Sequence, residues 1–179
     1  YDSWNVMDKY CKWQSEGYRS YFDYGEGIGM QTLIMLDMYA SGYAIVHKTM
    51  NRSDGAGNGV VMRLAPVVIA AYGKRDIRDV IRLAQVSARE THYSYEVFAA
   101  ILHNAIHLKD KTDIIDVSKY STGAHYDQLL NKLKERVETD KLKNKPGYVV
   151  YTLQVALWGF MNYDTFEDGM LAVMCLGGD

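Results

Sequence analysis

The sequence predicts an all-α fold, and three observations carry that expectation. Apolar residues recur with a period near 3.6 along most of the 179 residues. Apolar runs close on single glycines, the residue best suited to a helix C-terminus. The final run opens on a capping-box pattern, in which Asp164 is placed as N-cap and Glu167 three positions on.

The elements follow in order. Trp4, Met7, Tyr10 and Cys11 share one face of a first helix, which Gly17 ends. From Ile28 to Ala40 the chain is apolar almost all round, predicting a helix buried on most sides and closed by Gly42. A third helix runs from Val60 to Tyr72 and stops at Gly73. In RDIRDVIRLAQVSARE the residues Ile77, Val80, Ile81 and Ala84 form a stripe with arginines opposite, the most amphipathic pattern in the chain. Tyr95, Phe98, Leu102 and Ala105 repeat it, with Ser94 placed as N-cap.

A weaker segment spans Ile114 to Tyr120. Leu129, Leu130, Leu133 and Val137 define a further helix that the KNKPG turn ends. GYVVYTLQVALWGFMNY has the valines and tyrosines of a strand, but its length and the spacing of Leu153, Ala156 and Leu157 favour a helix. Neither a repeat nor an internal linker interrupts the pattern, so residues 1–179 are expected to form one domain. The chain begins without Met inside a helix and stops after MCLGGD, which predicts a fragment or a processed or split chain.

Composition narrows the function. The chain is 48% hydrophobic and 23% charged with a net charge of -2, and its 20 basic and 22 acidic residues are interspersed. No basic stripe points to a nucleic-acid partner. No apolar run approaches the ~18 residues that span a bilayer, and no signal peptide opens the chain. Cys11 and Cys175 are far apart, with no CxxC spacing, and read as buried thiols of a reducing compartment, so a cytoplasmic location is expected.

The chemistry-bearing stretch is DGAGNGVVMRLAP, from Asp54 to Pro66. A glycine-rich loop running into a helix N-terminus presents unpaired N–H groups and the positive end of the helix dipole, which suits a phosphate. Gly55, Gly57 and Gly59 let the backbone approach a ligand closely, and Asn58 adds a side-chain donor. It is not a Walker A loop, because no Lys-Ser or Lys-Thr follows, nor a GxGxxG fingerprint, because no strand precedes it. On the loop pattern alone, a polar turn between helices is an equal alternative.

His103 and His107 stand at i, i+4, a spacing able to hold zinc. Without the glutamate of HExxH or a third ligand, the pair reads as helix surface. His47 and His125 have no suggestive neighbours, and Glu26, between Gly25 and Gly27, has no local support as a site residue. A tyrosine near the Asp23-Tyr24-Gly25 turn is a candidate to stack on a base.

SDGAGNGVVMRLAPV, residues 53–67, resembles the AGNGSLMRLAPV signature of the ADP-ribosylglycohydrolase family, particularly the branch that acts on dinitrogenase reductase and ADP-ribosylarginine. WQSEGYRSYFDYGEGIGMQTLIML, SARETHYSYEVFAAILHNAIHL and the stretch from Gly147 to Asp179 are similar to further motifs of that family in the same order. The resemblance implies a compact orthogonal helical bundle that binds two Mg²⁺ or Mn²⁺ ions beside the ribose. It implies a hydrolase whose metal-activated water releases ADP-ribose from a protein side chain, most plausibly arginine, with an ADP-ribosylated protein or ADP-ribose as partner.

By the same resemblance Gly57, Asn58 and Gly59 line the diphosphate, Met62 and Arg63 begin the supporting helix at the substrate, and Thr91 and His92 face the ribose and phosphates. Asp179 matches the first Asp of the late GDTDT motif and is carried over as catalytic residue and metal ligand. The early TDD of the family is not found; Asp23 and Asp54 stand in other contexts. Val60 replaces the commoner Ser of the signature. Arg63 is open between contacting substrate and bracing neighbouring loops, and His92 between ligand contact and helix capping. A non-catalytic ADP-ribose-binding or structural member of the same fold is the alternative to the enzyme.

Overall fold

The computed structural model describes residues 1–43, 57–73, 76–88, 96–118, 120 and 147–177. These form eight helices: α1 (Ser3–Glu16), α2 (Met30–Ala40), α3 (Gly59–Ala71), α4 (Ile77–Ala88), α5 (Glu96–His107), α6 (Lys111–Ile115), α7 (Val149–Asn162) and α8 (Phe166–Cys175). Among the described residues there is no strand, only an isolated bridge between Gly57 and Tyr148. The expected all-α class is the one found.

Helix ends follow local chemistry. Asp2 caps α1 by accepting from the Asn5 amide, and Gly17 closes it in the left-handed region at φ 63°. The Gly17 amide returns to the Trp13 carbonyl, the bond of a left-handed cap, and the Tyr18 amide to the Lys12 carbonyl. The turn is also tight: a Cβ on Gly17 would lie 1.9 Å from the Phe22 carbonyl oxygen, so glycine is required there twice over. Gly42 closes α2 in the same conformation at φ 83°.

The central core belongs to α3, α4, α5 and α7. Val60, Val61, Ile81, Ala100, Val149 and Leu153 are buried together, and Leu64, Val68, Val80 and Ala84 extend the packing along α3 and α4. The α4 stripe is as the sequence predicts, with Arg78 and Arg82 on the exposed side. GYVVYTLQ is helical because Val149, Val150 and Leu153 are buried on one side of a helix, which outweighs their strand preference. Pro66 lies within α3 on its exposed side, where the missing N–H forfeits only the bond to the Met62 carbonyl. Asn104 is a buried polar residue of α5; its Nδ2 donates to the Ile114 carbonyl at 3.2 Å and holds α6 in place.

Several expectations are corrected. In α2 only Met35 and Leu36 are buried, while Met30 is 70% exposed, because α2 packs on α1 at the margin of the described core. The buried residues of α5 are Val97, Ala99, Ala100, Ile101 and Asn104; Phe98 and Leu102 are half-buried and Ala105 is exposed. The cap of α8 is Thr165 rather than Asp164: its hydroxyl oxygen accepts from the Asp168 amide, which moves the box by one residue. Cys11 is half-buried and Cys175 exposed, both free thiols. Cys175 is open because α8 buries no side chain; it meets α7 through the close pair Gly159 and Gly169, where small size sets the distance between the helices. The expected helix around Leu129 to Val137 and the Ser94 cap lie outside the described residues.

Candidate functional site

The glycine turn is held by a distant part of the chain. Gly57 bridges to Tyr148, and the Asn58 amide donates to the Gly147 carbonyl at 2.9 Å. Asn58 is the N-cap of α3 and Tyr148 the N-cap of α7. The crossing therefore brings two helix N-termini together at the same turn. Each helix start leaves N–H groups without intrahelical partners and carries partial positive charge, so the pair forms a place suited to an anion. Val60, Val61, Val149 and Val150, all buried in one cluster, fix the two starts from below.

Asn58 does not use its side chain for capping, so the amide is not committed to its own helix. Gly147 sits at φ 81°, the left-handed conformation that turns its carbonyl to the Asn58 amide. Tyr148 is 37% exposed, and its ring lies 5.4 Å from that of Tyr151, one turn into α7. This aromatic pair beside the glycine turn was missed in the sequence; the GY that opens the GYVVYTLQ run was its only local signal.

Of the carried-over residues, Gly57, Asn58 and Gly59 stand together at the crossing. Met62 follows on the first turn of α3 and is 79% exposed. Arg63 is half-buried on α3 and turns towards the protein: its Nη2 donates to the Ala88 carbonyl at 3.0 Å, and its Nη1 lies 3.5 Å from the Tyr10 hydroxyl. Ala88 is the last residue of α4, so Arg63 meets the helix end from which the chain runs on towards Thr91 and His92. A bond from Gln85 to Glu96 joins α4 to α5 across the same interval. Thr91, His92, Asp179 and Gly55 lie outside the described residues.

The His103 and His107 pair is helix surface. Their rings stack at 4.3 Å, and His107 Nδ1 is engaged by the His103 carbonyl at 2.8 Å. Burial, then the neighbouring His107, pulls the pKa of His103 below its ordinary value, while Asn104 and Asp76 act weakly in the other direction. Among the described residues no three His, Cys, Asp or Glu side chains gather closely enough to hold a metal ion. Between α2 and α1, Tyr39 donates to Asp8 at 2.7 Å, which pushes its pKa up to about 12. The Phe22 and Tyr24 rings stack at 5.6 Å in the turn after α1, whose Gly25 amide bonds to the Gln14 carbonyl.

The described residues are all-helical, with a glycine turn set between two helix N-termini, an arrangement whose chemistry suits an anion. Comparison with known proteins narrows it: the family model for ADP-ribosylglycohydrolase matches residues 1–179, and the chain belongs to that family. It is also 28% identical over 130 residues to the ADP-ribosylarginine hydrolase Tri1 of Pseudomonas putida (strain GB-1). That match covers 69% of this chain and 34% of the relative, so the chain spans about a third of the length of the curated protein it matches. Members of the family are generally metal-dependent. Among the described residues no helix is long and apolar enough to cross a membrane.

Proposed function

We propose that this chain is part of a hydrolase that removes ADP-ribose from a protein side chain, arginine in the first instance, and that the glycine turn binds the diphosphate. The observation that carries the proposal is the Gly57–Tyr148 crossing, which gathers the starts of α3 and α7 at one turn. A diphosphate there accepts from backbone N–H groups and lies at the positive ends of two helix dipoles. The Asn58 amide adds a donor, and the exposed Tyr148 ring offers a face on which a base can stack. Thr91 and His92 complete the ribose side of the site in this proposal, and Met62 closes its outer edge.

These contacts do not touch the bond that breaks. Their role is to hold the remote part of the substrate, so that binding energy from the diphosphate positions the anomeric carbon for attack. In this proposal Mg²⁺ or Mn²⁺ would activate the water, and Asp179, carried over from the late motif, would be one of the residues that hold it. The described residues do not themselves assemble a metal site, and no step is drawn through one. The curated relative's name supports arginine as the released side chain. The free thiols of Cys11 and Cys175 favour a reducing, cytoplasmic setting.

The test is release of ADP-ribose from an ADP-ribosylarginine protein, followed by intact mass with Mg²⁺ or Mn²⁺ present. Release by the wild type that disappears in Asp179→Ala is the expected result. A folded protein that binds ADP-ribose but releases none would favour the non-catalytic alternative over the enzyme.

A further inference from the structure

Arg63 joins elements that lie in separate buried groups among the described residues. Among the described residues the two buried clusters contain nothing from α1 or α2. Across that divide the Arg63 guanidinium carbon lies 5.7 Å from the centre of the Tyr10 ring on α1, and Nη1 is 3.5 Å from the Tyr10 hydroxyl. On the other side Nη2 donates to the Ala88 carbonyl at 3.0 Å. Ala88 is fully buried and is the last described residue of α4, so this bond ties that end of α4 to α3. The guanidinium supplies that buried carbonyl with a charged donor.

The geometry matters because guanidinium donors lie in one rigid plane. Fixing that plane against both Tyr10 and Ala88 fixes α1 and the end of α4 relative to the first turn of α3. That turn begins at Asn58, whose amide holds the Gly147 carbonyl. We infer that Arg63 is a positioning residue: its planar fork locks Tyr10 and the Ala88 carbonyl to the start of α3 and so keeps the glycine turn in its anion-binding arrangement. The ligand in this inference rests on the ADP-ribose proposal; the mechanical role does not. An arginine acting instead as a phosphate ligand would use the same fork on the anion, so the two roles separate in the ligand-free chain and at Tyr10 rather than by lysine substitution alone. A lysine ammonium cannot lie over the Tyr10 ring and meet Ala88 with the same planar fork.

The test compares Arg63→Lys, Arg63→Met, Tyr10→Leu and the double variant Tyr10→Leu/Arg63→Met, with two readouts. The first is hydrogen exchange of the Asn58 amide in the ligand-free chain, set against exchange of core amides. The second is the affinity for ADP-ribose by calorimetry. The expected result is exchange at Asn58 about tenfold faster in both Arg63 variants while core amides keep their protection. Affinity falls about tenfold in both, without rescue by lysine, and Tyr10→Leu moves both readouts the same way. Because Tyr10 and Arg63 act through one contact, the double variant loses less than the sum of the single losses.

Lost affinity in the Arg63 variants with unchanged exchange at Asn58 in the ligand-free chain and a silent Tyr10→Leu would overturn the inference and make Arg63 a phosphate ligand. Equal acceleration at Asn58 and in the core would overturn it in favour of a role in general stability. If the wild type does not bind ADP-ribose, exchange alone decides: acceleration confined to Asn58 upholds the positioning role while the ligand proposal fails, and unchanged exchange overturns the positioning role. Should Arg63→Met not fold, Arg63→Lys and Tyr10→Phe carry the same comparison.

Discussion

Replacing Gly147 separates backbone conformation from packing at the crossing that organises the candidate site. Its φ of 81° lies in the left-handed region, and among the described residues a Cβ built there meets nothing within 4 Å. Substitution is therefore penalised by the backbone alone. Left-handed backbone costs an L-residue roughly 1–2 kcal/mol, and the loss of unfolded-state freedom on replacing glycine returns about 0.4–1 kcal/mol. Gly147→Ala should then destabilise by about 1 kcal/mol, a fall in melting temperature of about 2–4 °C for a domain of this size.

Asparagine tolerates the left-handed region, so Gly147→Asn should cost less than Ala. Gly147→Val, β-branched, should cost more, by about 2 kcal/mol or beyond. Urea unfolding followed by circular dichroism gives the three values. An ordered series Asn, Ala, Val is the expected outcome. Equal costs, or a stabilising alanine, would refute the conformation on which the Asn58–Gly147 bond depends.

Two further predictions concern stability. Thr165→Ala should destabilise by about 1 kcal/mol through the lost α8 cap. Asp164→Ala should cost less than about 0.5 kcal/mol, since its carboxylate is fully exposed and makes a surface ion pair with Lys111 at 3.3 Å. Thermal melts of the two variants distinguish the caps, and the reverse order would return the cap to Asp164. His103 should make stability depend on pH. Its pKa is lowered in the folded state, so the fold resists a proton that the unfolded chain accepts at its ordinary value of 6.5. Its full contribution is present above that value and is lost as pH falls from 6.5 towards the lowered folded pKa. Urea midpoints measured across that interval should fall with pH in the wild type and fall less in His103→Gln; identical slopes would contradict the assignment.

Features set by neighbouring residues were legible in the sequence. Gly17 and Gly42 mark the ends of α1 and α2 because left-handed closure needs a residue without Cβ, and that need is local. The α4 stripe was legible because its apolar and arginine faces are chemically distinct. In α5 two stripes compete, since Phe98 and Leu102 are as apolar as Val97 and Ile101, and only packing selects between them. The α8 cap was misplaced for a similar reason: Asp164 and Thr165 are adjacent and both suited to the role. The near-uniform apolarity of α2 did not reveal that it lies at the margin.

At the candidate site the same division holds. The glycines and Asn58 announced a turn at a helix start, but its partners Gly147 and Tyr148 come from far along the chain and leave no periodic signal. Arg63 was legible as a site arginine without a direction. Its choice between substrate and brace depends on where Tyr10 and Ala88 lie, which is a property of the packed helices.

The central claim is that the glycine turn between α3 and α7 holds the diphosphate of ADP-ribose. The most direct measurement is calorimetric titration of the wild type and Asn58→Asp with ADP-ribose. Saturable binding by the wild type should weaken by about tenfold or more in a folded Asn58→Asp, because a carboxylate at the turn repels the diphosphate. Equal affinity of the two proteins, or no binding by the folded wild type, would contradict it.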